Sequence, residues 1–127
     1  MTPNWLNDTV RAFGRQMGLR TLALNERGAA GVRFENAAEL RLEYANAALA
    51  MTVTLPAPGD PETAKLILQA AHPGGFRGQR VRSGMFRRSG RAFFHARLEE
   101  RDVSVDALER VFRGLWESAG ALAGRAS

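Results

Sequence analysis

The sequence predicts an α+β domain in which helices lie against an antiparallel sheet, in the order α-βββ-α-ββ-α. Three observations carry this. Apolar residues recur at helical spacing near both ends of the 127-residue chain, apolar/polar alternation marks residues 32–55 and 79–98, and a capped, strongly apolar segment joins the two alternating stretches.

The first helix is expected from Thr2 as N-cap and Pro3 as first helical residue to about Met17, with Gly18 ending it. Leu6, Val10, Phe13 and Met17 fall on one stripe. Trp5 stands about 100° off that stripe at helical spacing, so it either folds against a neighbouring loop or stays partly exposed to a partner. Residues 25–31 read as turn material.

Three strands follow. Val32 and Phe34 alternate with Arg33 and Glu35; Leu40, Leu42 and Tyr44 with Glu39, Arg41 and Glu43; Leu49, Met51, Val53 and Leu55 with Ala48, Ala50, Thr52 and Thr54. The connections at 36–38 and 45–47 have hairpin length, which makes the three an antiparallel meander with one apolar and one wet face.

Residues 60–73 are expected as the second helix, with Asp60 as cap, Pro61 and Glu62 in the first turn and Pro73 as the stop. Ala64, Leu66, Ile67, Leu68, Ala70 and Ala71 spread over an arc of roughly 200°, against the stripe of about 100° that one core requires. Such a helix either lies at the centre of its own fold or covers its own sheet on one side and another subunit on the other. The second arrangement is preferred, because three helices leave little other material to cover the second face.

A second hairpin is read at residues 79–86 and 91–98, turning at 87–90. Val81, Ser83 and Met85 share a face with Ala92, Phe94, Ala96 and Leu98, while Arg80, Arg82, Arg91, His95 and Arg97 point the other way. The last helix, about 104–122 with Ser104 as cap, has the clearest stripe: Val105, Leu108, Val111, Phe112, Leu115, Trp116, Ala119 and Leu122.

Length allows one domain, residues 1–127, burying roughly two thirds of its unfolded surface. No window reaches the ~18 apolar residues of a membrane span, and MTPNWLNDTV has no secretory pattern, so the cytoplasm is the expected compartment. With no cysteine and only His72 and His95, neither a disulfide nor a thiolate or histidine-cluster metal site is expected. Glu99, Glu100 and Asp102 read as a solvated turn before the last helix. The GFRG at 75–78 lacks the flanking helices of an RNA-clamping GxxG loop, and no nucleophile motif or phosphate loop occurs. An enzyme and a cofactor are therefore not expected.

The net charge of +5 is concentrated. Residues 64–98 hold Lys65, Arg77, Arg80, Arg82, Arg87, Arg88, Arg91 and Arg97 without one carboxylate, while both flanks are slightly acidic. Such a block is either a solvated Arg-rich face or the seat of an anionic partner. A small nucleic-acid binder, with Arg80, Arg82, Arg87, Arg88 and Arg91 on phosphates and Phe93 stacking on a base, is the alternative functional reading.

Three stretches resemble a known family. Trp5 in a first helix that ends in MGL at 17–19, the LRLEYANAALAMTVTL meander at 40–55 and the closing FFHARLEERDVSVDALERVFRGLW at 93–116 are similar to the class I chaperones of bacterial type III secretion, and within them to the SycN type, which serves the secretion gatekeeper. The resemblance covers nearly the whole chain. It implies a small dimer, a homodimer or a heterodimer with a second small chaperone, that keeps the N-terminal region of a secreted effector or gatekeeper extended and export-competent. By that analogy Leu66, Ile67, Ala70 and Val81 build the dimer interface, and Trp5, Val32, Phe34 and Tyr44 touch the client, with the strand at 32–35 open to strand addition. Such chaperones are typically acidic, whereas this chain has a sequence pI near 11.2. The basic block thus implies an acidic client or partner subunit.

Overall fold

The computed structural model describes residues 2–34, 38–56, 81–86 and 90–126, with the backbone alone at 81, 85, 86 and 118–126. Its elements are α1 (Asn4–Gln16), β1 (Ala29–Arg33), β2 (Glu39–Ala45), β3 (Ala48–Pro56), β4 (Val81–Phe86), β5 (Arg91–Glu99), a 3₁₀ turn (Glu100–Asp102) and α2 (Val105–Ala126). All neighbouring strands are antiparallel, in the order β1-β2-β3-β5-β4. The expected second helix at 60–73, with Leu66, Ile67 and Ala70, lies outside the described residues, as does Arg80.

Alternation sets the faces of the sheet as the sequence predicts. Leu40, Leu42, Leu49, Met51, Val53, Leu55, Ala92, Phe94, Ala96 and Leu98 are all buried on the inner face. Helix α2 lies across β3 and β5 on that face and touches α1. Leu6, Val10 and Phe13 of α1 are fully buried, and Met17 is packed at the edge of the same core. The Phe13 ring meets Phe112 of α2 edge-on at 5.9 Å, a favoured aromatic geometry that fixes the two helices to one another.

Both helix ends have local causes. The N-cap of α1 is Pro3, one residue later than expected: its extended backbone (φ −61°, ψ 141°) turns its carbonyl toward the Leu6 and Asn7 N–H groups, and no side chain caps the helix. Thr2 lies instead beside Gly28, where an added Cβ would come within 3.0 Å of the Thr2 hydroxyl. At the C-terminus Gly18 takes φ +77°; its N–H donates to Arg15 O and that of Leu19 to Gly14 O, a complete Schellman closure. Ser104 caps α2 as expected, its Oγ accepting the Ala107 N–H at 3.0 Å.

The first strand starts earlier than alternation suggests. Residues 29–31, read as turn, are paired: Ala29 with Glu43, Ala30 with Leu42, Gly31 with Arg41. Two alanines and a glycine carry little strand propensity of their own, and the neighbouring β2 supplies the ladder that holds them.

Candidate functional site

Trp5 stands on α1, Val32 on β1, Phe34 just after β1 and Tyr44 on β2, with unequal access to a partner. Trp5 is 45% exposed, the largest exposed apolar side chain among the described residues. The other three are half-buried and lean on the core. Phe34 lies against Trp116 at 4.9 Å between ring centroids, and Trp116 stacks in turn on Phe112 at 5.6 Å. The Tyr44 hydroxyl donates to Glu100 Oε1 at 3.1 Å, and burial, followed by that carboxylate, raises its pKa above the ordinary phenol value. Glu100 is thereby tied down at the end of β5.

Strand β1 ends the sheet, and among the described residues no strand pairs with its outer edge. An open hollow lined by Asn25, Ala29, Val32, Arg33, Glu39 and Arg41, among others, runs along it. Asn25 organises its start: its Oδ1 accepts the Arg27 and Ala29 N–H groups, and its own N–H donates to Ala29 O. Ala29 is thus committed to the turn, which leaves 30–33 as the part of the edge where an added strand would find backbone groups.

The outer face of the sheet carries the charges. Arg82, Arg91 and Arg97 share it with His95, as the alternation predicts, but they also share it with Glu39, Glu43 and Glu99. Arg33 donates from Nε and Nη2 to Glu39 Oε1 at 3.0 and 2.6 Å, which holds that carboxyl below its ordinary pKa; Arg41 meets Glu43 at 3.6 Å and Arg97 meets Glu99 at 4.0 Å. His95 Nδ1 and Thr52 Oγ1 share a hydrogen bond of 2.8 Å. Burial first, and Arg82 second, lower the pKa of His95, so the ring is biased toward its neutral form. Phe93, the expected base-stacking ring, lies over Gly84, where a Cβ would come within 2.8 Å of it. Asn7 Oδ1 accepts the Leu24 N–H at 2.9 Å and ties the loop to α1. Phe34 on Trp116 and Thr52 on His95 had no sequence signal, because each joins residues far apart in the chain.

Among the described residues no group of His, Cys, Asp and Glu could hold a metal ion, and no helix is long and apolar enough to cross a membrane.

Among the described residues, two helices on one face of a five-stranded antiparallel sheet with an open edge strand define an α+β domain. The chain belongs to the Tir chaperone protein (CesT) family, whose model matches residues 9–123. Its fold is shared with solved structures at low identity. A chain of the HopA1–SchA chaperone–effector complex is 22% identical, with 91% of this chain and 90% of that one covered and a TM-score of 0.70. One of the ExsC–ExsE complex is 18% identical, with 91% and 88% covered and a TM-score of 0.73. One from the Yersinia pestis type III secretion chaperone SycH bound to a YscM2 fragment is 17% identical, with 92% and 98% covered and a TM-score of 0.68. No curated protein sequence matches. The resemblance to class I type III secretion chaperones is borne out at the level of family and fold; none of these comparisons singles out the SycN type.

Proposed function

We propose that the protein is a cytoplasmic type III secretion chaperone that binds the N-terminal region of a secreted effector or gatekeeper, holds it extended on its surface and carries out no chemical reaction. The family match over residues 9–123 carries this reading. The client would lie over α1 and the meander, with Trp5 as the principal contact because it is the one exposed side chain of the four candidates. Val32, Phe34 and Tyr44 would contribute the surface they do not spend on the core, and the backbone of 30–33 would take an added strand. The chaperone would act as a homodimer or as half of a heterodimer with a second small chaperone, joined through Leu66, Ile67, Ala70 and Val81.

Co-expression with the N-terminal region of a candidate export substrate tests both parts. The complex is expected to co-purify, and Trp5→Ala to lower the affinity by about tenfold or more, as for an aromatic anchor at an interface. Retention of the client unchanged by Trp5→Ala would remove Trp5 from the site. The double variant Leu66→Asp with Ile67→Asp is expected to sediment as a single chain; a soluble two-chain particle would refute the interface.

A further inference from the structure

Gly31 sits at the centre of the open β1 edge without a local reason to be glycine. It is exposed, lies in the middle of a strand and does not hold the left-handed backbone that favours this residue. Among the described residues a Cβ added there would meet only Leu40 O, at an ordinary 3.7 Å, so the fold has room for a side chain. Glycine weakens a strand, and inside one it often marks a place where another chain comes close. Antiparallel alternation decides which way its backbone points. The Tyr44 N–H donates to Gly28 O and the Phe34 N–H to Ala38 O, which turns the even-numbered residues toward β2. The N–H and C=O groups of Gly31 and Arg33 therefore face the open edge. On the outer face of the sheet Gly31 stands opposite Arg41, and it lines the hollow along β1 together with Arg33, Glu39 and Arg41.

The other edge of the same sheet shows what such a glycine can hold. Gly84 of β4 pairs with Phe93 of β5, and the ring covers it so closely that a Cβ on residue 84 would stand 2.8 Å from the ring. At Gly31 the paired residue is Arg41 rather than an aromatic one. We propose that Gly31 is a specificity-determining position: the extended client segment added to β1 carries an aromatic residue opposite Gly31, its ring laid on the bare backbone of the sheet's outer face. The proposal rests on the chaperone reading and deepens the strand addition at 30–33 by naming the side chain the edge selects. A ring over an edge-strand glycine restores packing that the missing side chain forgoes, and cross-strand pairs with aromatic residues are among the stronger contacts of a sheet. Arg33 and Arg41, both with largely exposed side chains, flank the position within reach of the free face of such a ring.

A binding cycle of two peptides against two proteins tests this. The labelled peptides are alternating Val-Ser sequences of strand length, about nine residues, with the central Ser replaced by Phe in one and by Ala in the other. The proteins are the full chain and its Gly31→Ala variant. Fluorescence anisotropy is expected to show wild type preferring the Phe peptide by about threefold to fivefold, and Gly31→Ala reducing that preference to under about 1.5-fold. The variant is expected to melt at the wild-type midpoint or a few degrees above it, because Ala loses less chain entropy than Gly where the backbone accepts both. A midpoint several degrees lower would mean that Gly31 serves the fold, and would overturn the proposal. So would an equal preference in both proteins, or none in wild type. Amide exchange at 31 and 33 that is slow in the free protein and quickens on dilution would give the edge to a second copy of the chain, with the same consequence. If an export substrate co-purifies with wild type while the two peptides bind alike, the role of Gly31 falls and the chaperone reading stands; if neither substrate nor peptide binds, both fall.

Discussion

Asn46 and Ala47 both hold left-handed backbone, φ 53° and 57°, in the two-residue turn between Ala45 and Ala48. This is the type I′ geometry that matches the twist of a hairpin. Asn tolerates it, whereas for Ala the Cβ costs about 1–2 kcal/mol. Ala47→Gly removes that strain and gives back about 0.5–1 kcal/mol as added freedom of the unfolded chain, so a net gain of up to about 1 kcal/mol and a rise of a few degrees in thermal midpoint are expected. A lower midpoint would contradict the turn type. His95 supplies a pH signature. Its folded pKa lies below the unfolded value of about 6.5, so the unfolded chain takes up the proton first and stability is lost as pH falls from about 6.5 through the folded pKa. Denaturant titrations at pH 7.5 and 5.5 are expected to show a drop in wild type that His95→Gln reduces; an equal drop in both would assign it to other groups. The hairpin was legible from its length alone. The His95 environment was not, because Thr52 and Arg82 reach it from two other strands.

Among the elements, those with strong internal period were legible and those held by neighbours were not. The stripe of Leu6, Val10 and Phe13 gives α1 its buried face, and the alternation of β2, β3 and β5 gives the inner face of the sheet. By contrast, 29–31 has too little apolar surface to announce a strand, and only the β2 ladder makes it one. The start of α1 shifted by one residue because Pro3 meets the N-cap requirement with its backbone, leaving no use for the Thr2 hydroxyl as a cap. The α1–α2 contact depends on Phe13, which is fully buried and edge-on to Phe112. Phe13→Ala is expected to cost about 3–5 kcal/mol in chemical denaturation, the range for emptying an aromatic core position. A cost below about 1 kcal/mol would mean that α1 is not anchored through this ring.

For the whole molecule, the sheet order β1-β2-β3-β5-β4 follows from antiparallel pairing that no local pattern specifies, and it decides which surfaces are available. It places β1 at an edge of the sheet, and it gathers the arginines of β4 and β5 on the face away from α1 and α2. The proposed client site was legible only in outline: helical spacing set Trp5 apart from the core stripe, whereas the contact of Phe34 with Trp116 required the end of the first strand to meet the last helix. The dimer interface at 60–73 remains a proposal from sequence, argued from an apolar arc wider than one core can use. The most direct measurement is amide hydrogen exchange of the purified protein with and without the N-terminal region of its export substrate. Client binding is predicted to slow exchange in residues 30–33 and around Trp5, as backbone groups of the open edge gain partners. A client that binds while exchange at β1 and α1 stays unchanged would contradict the central claim that this edge and helix form the client site.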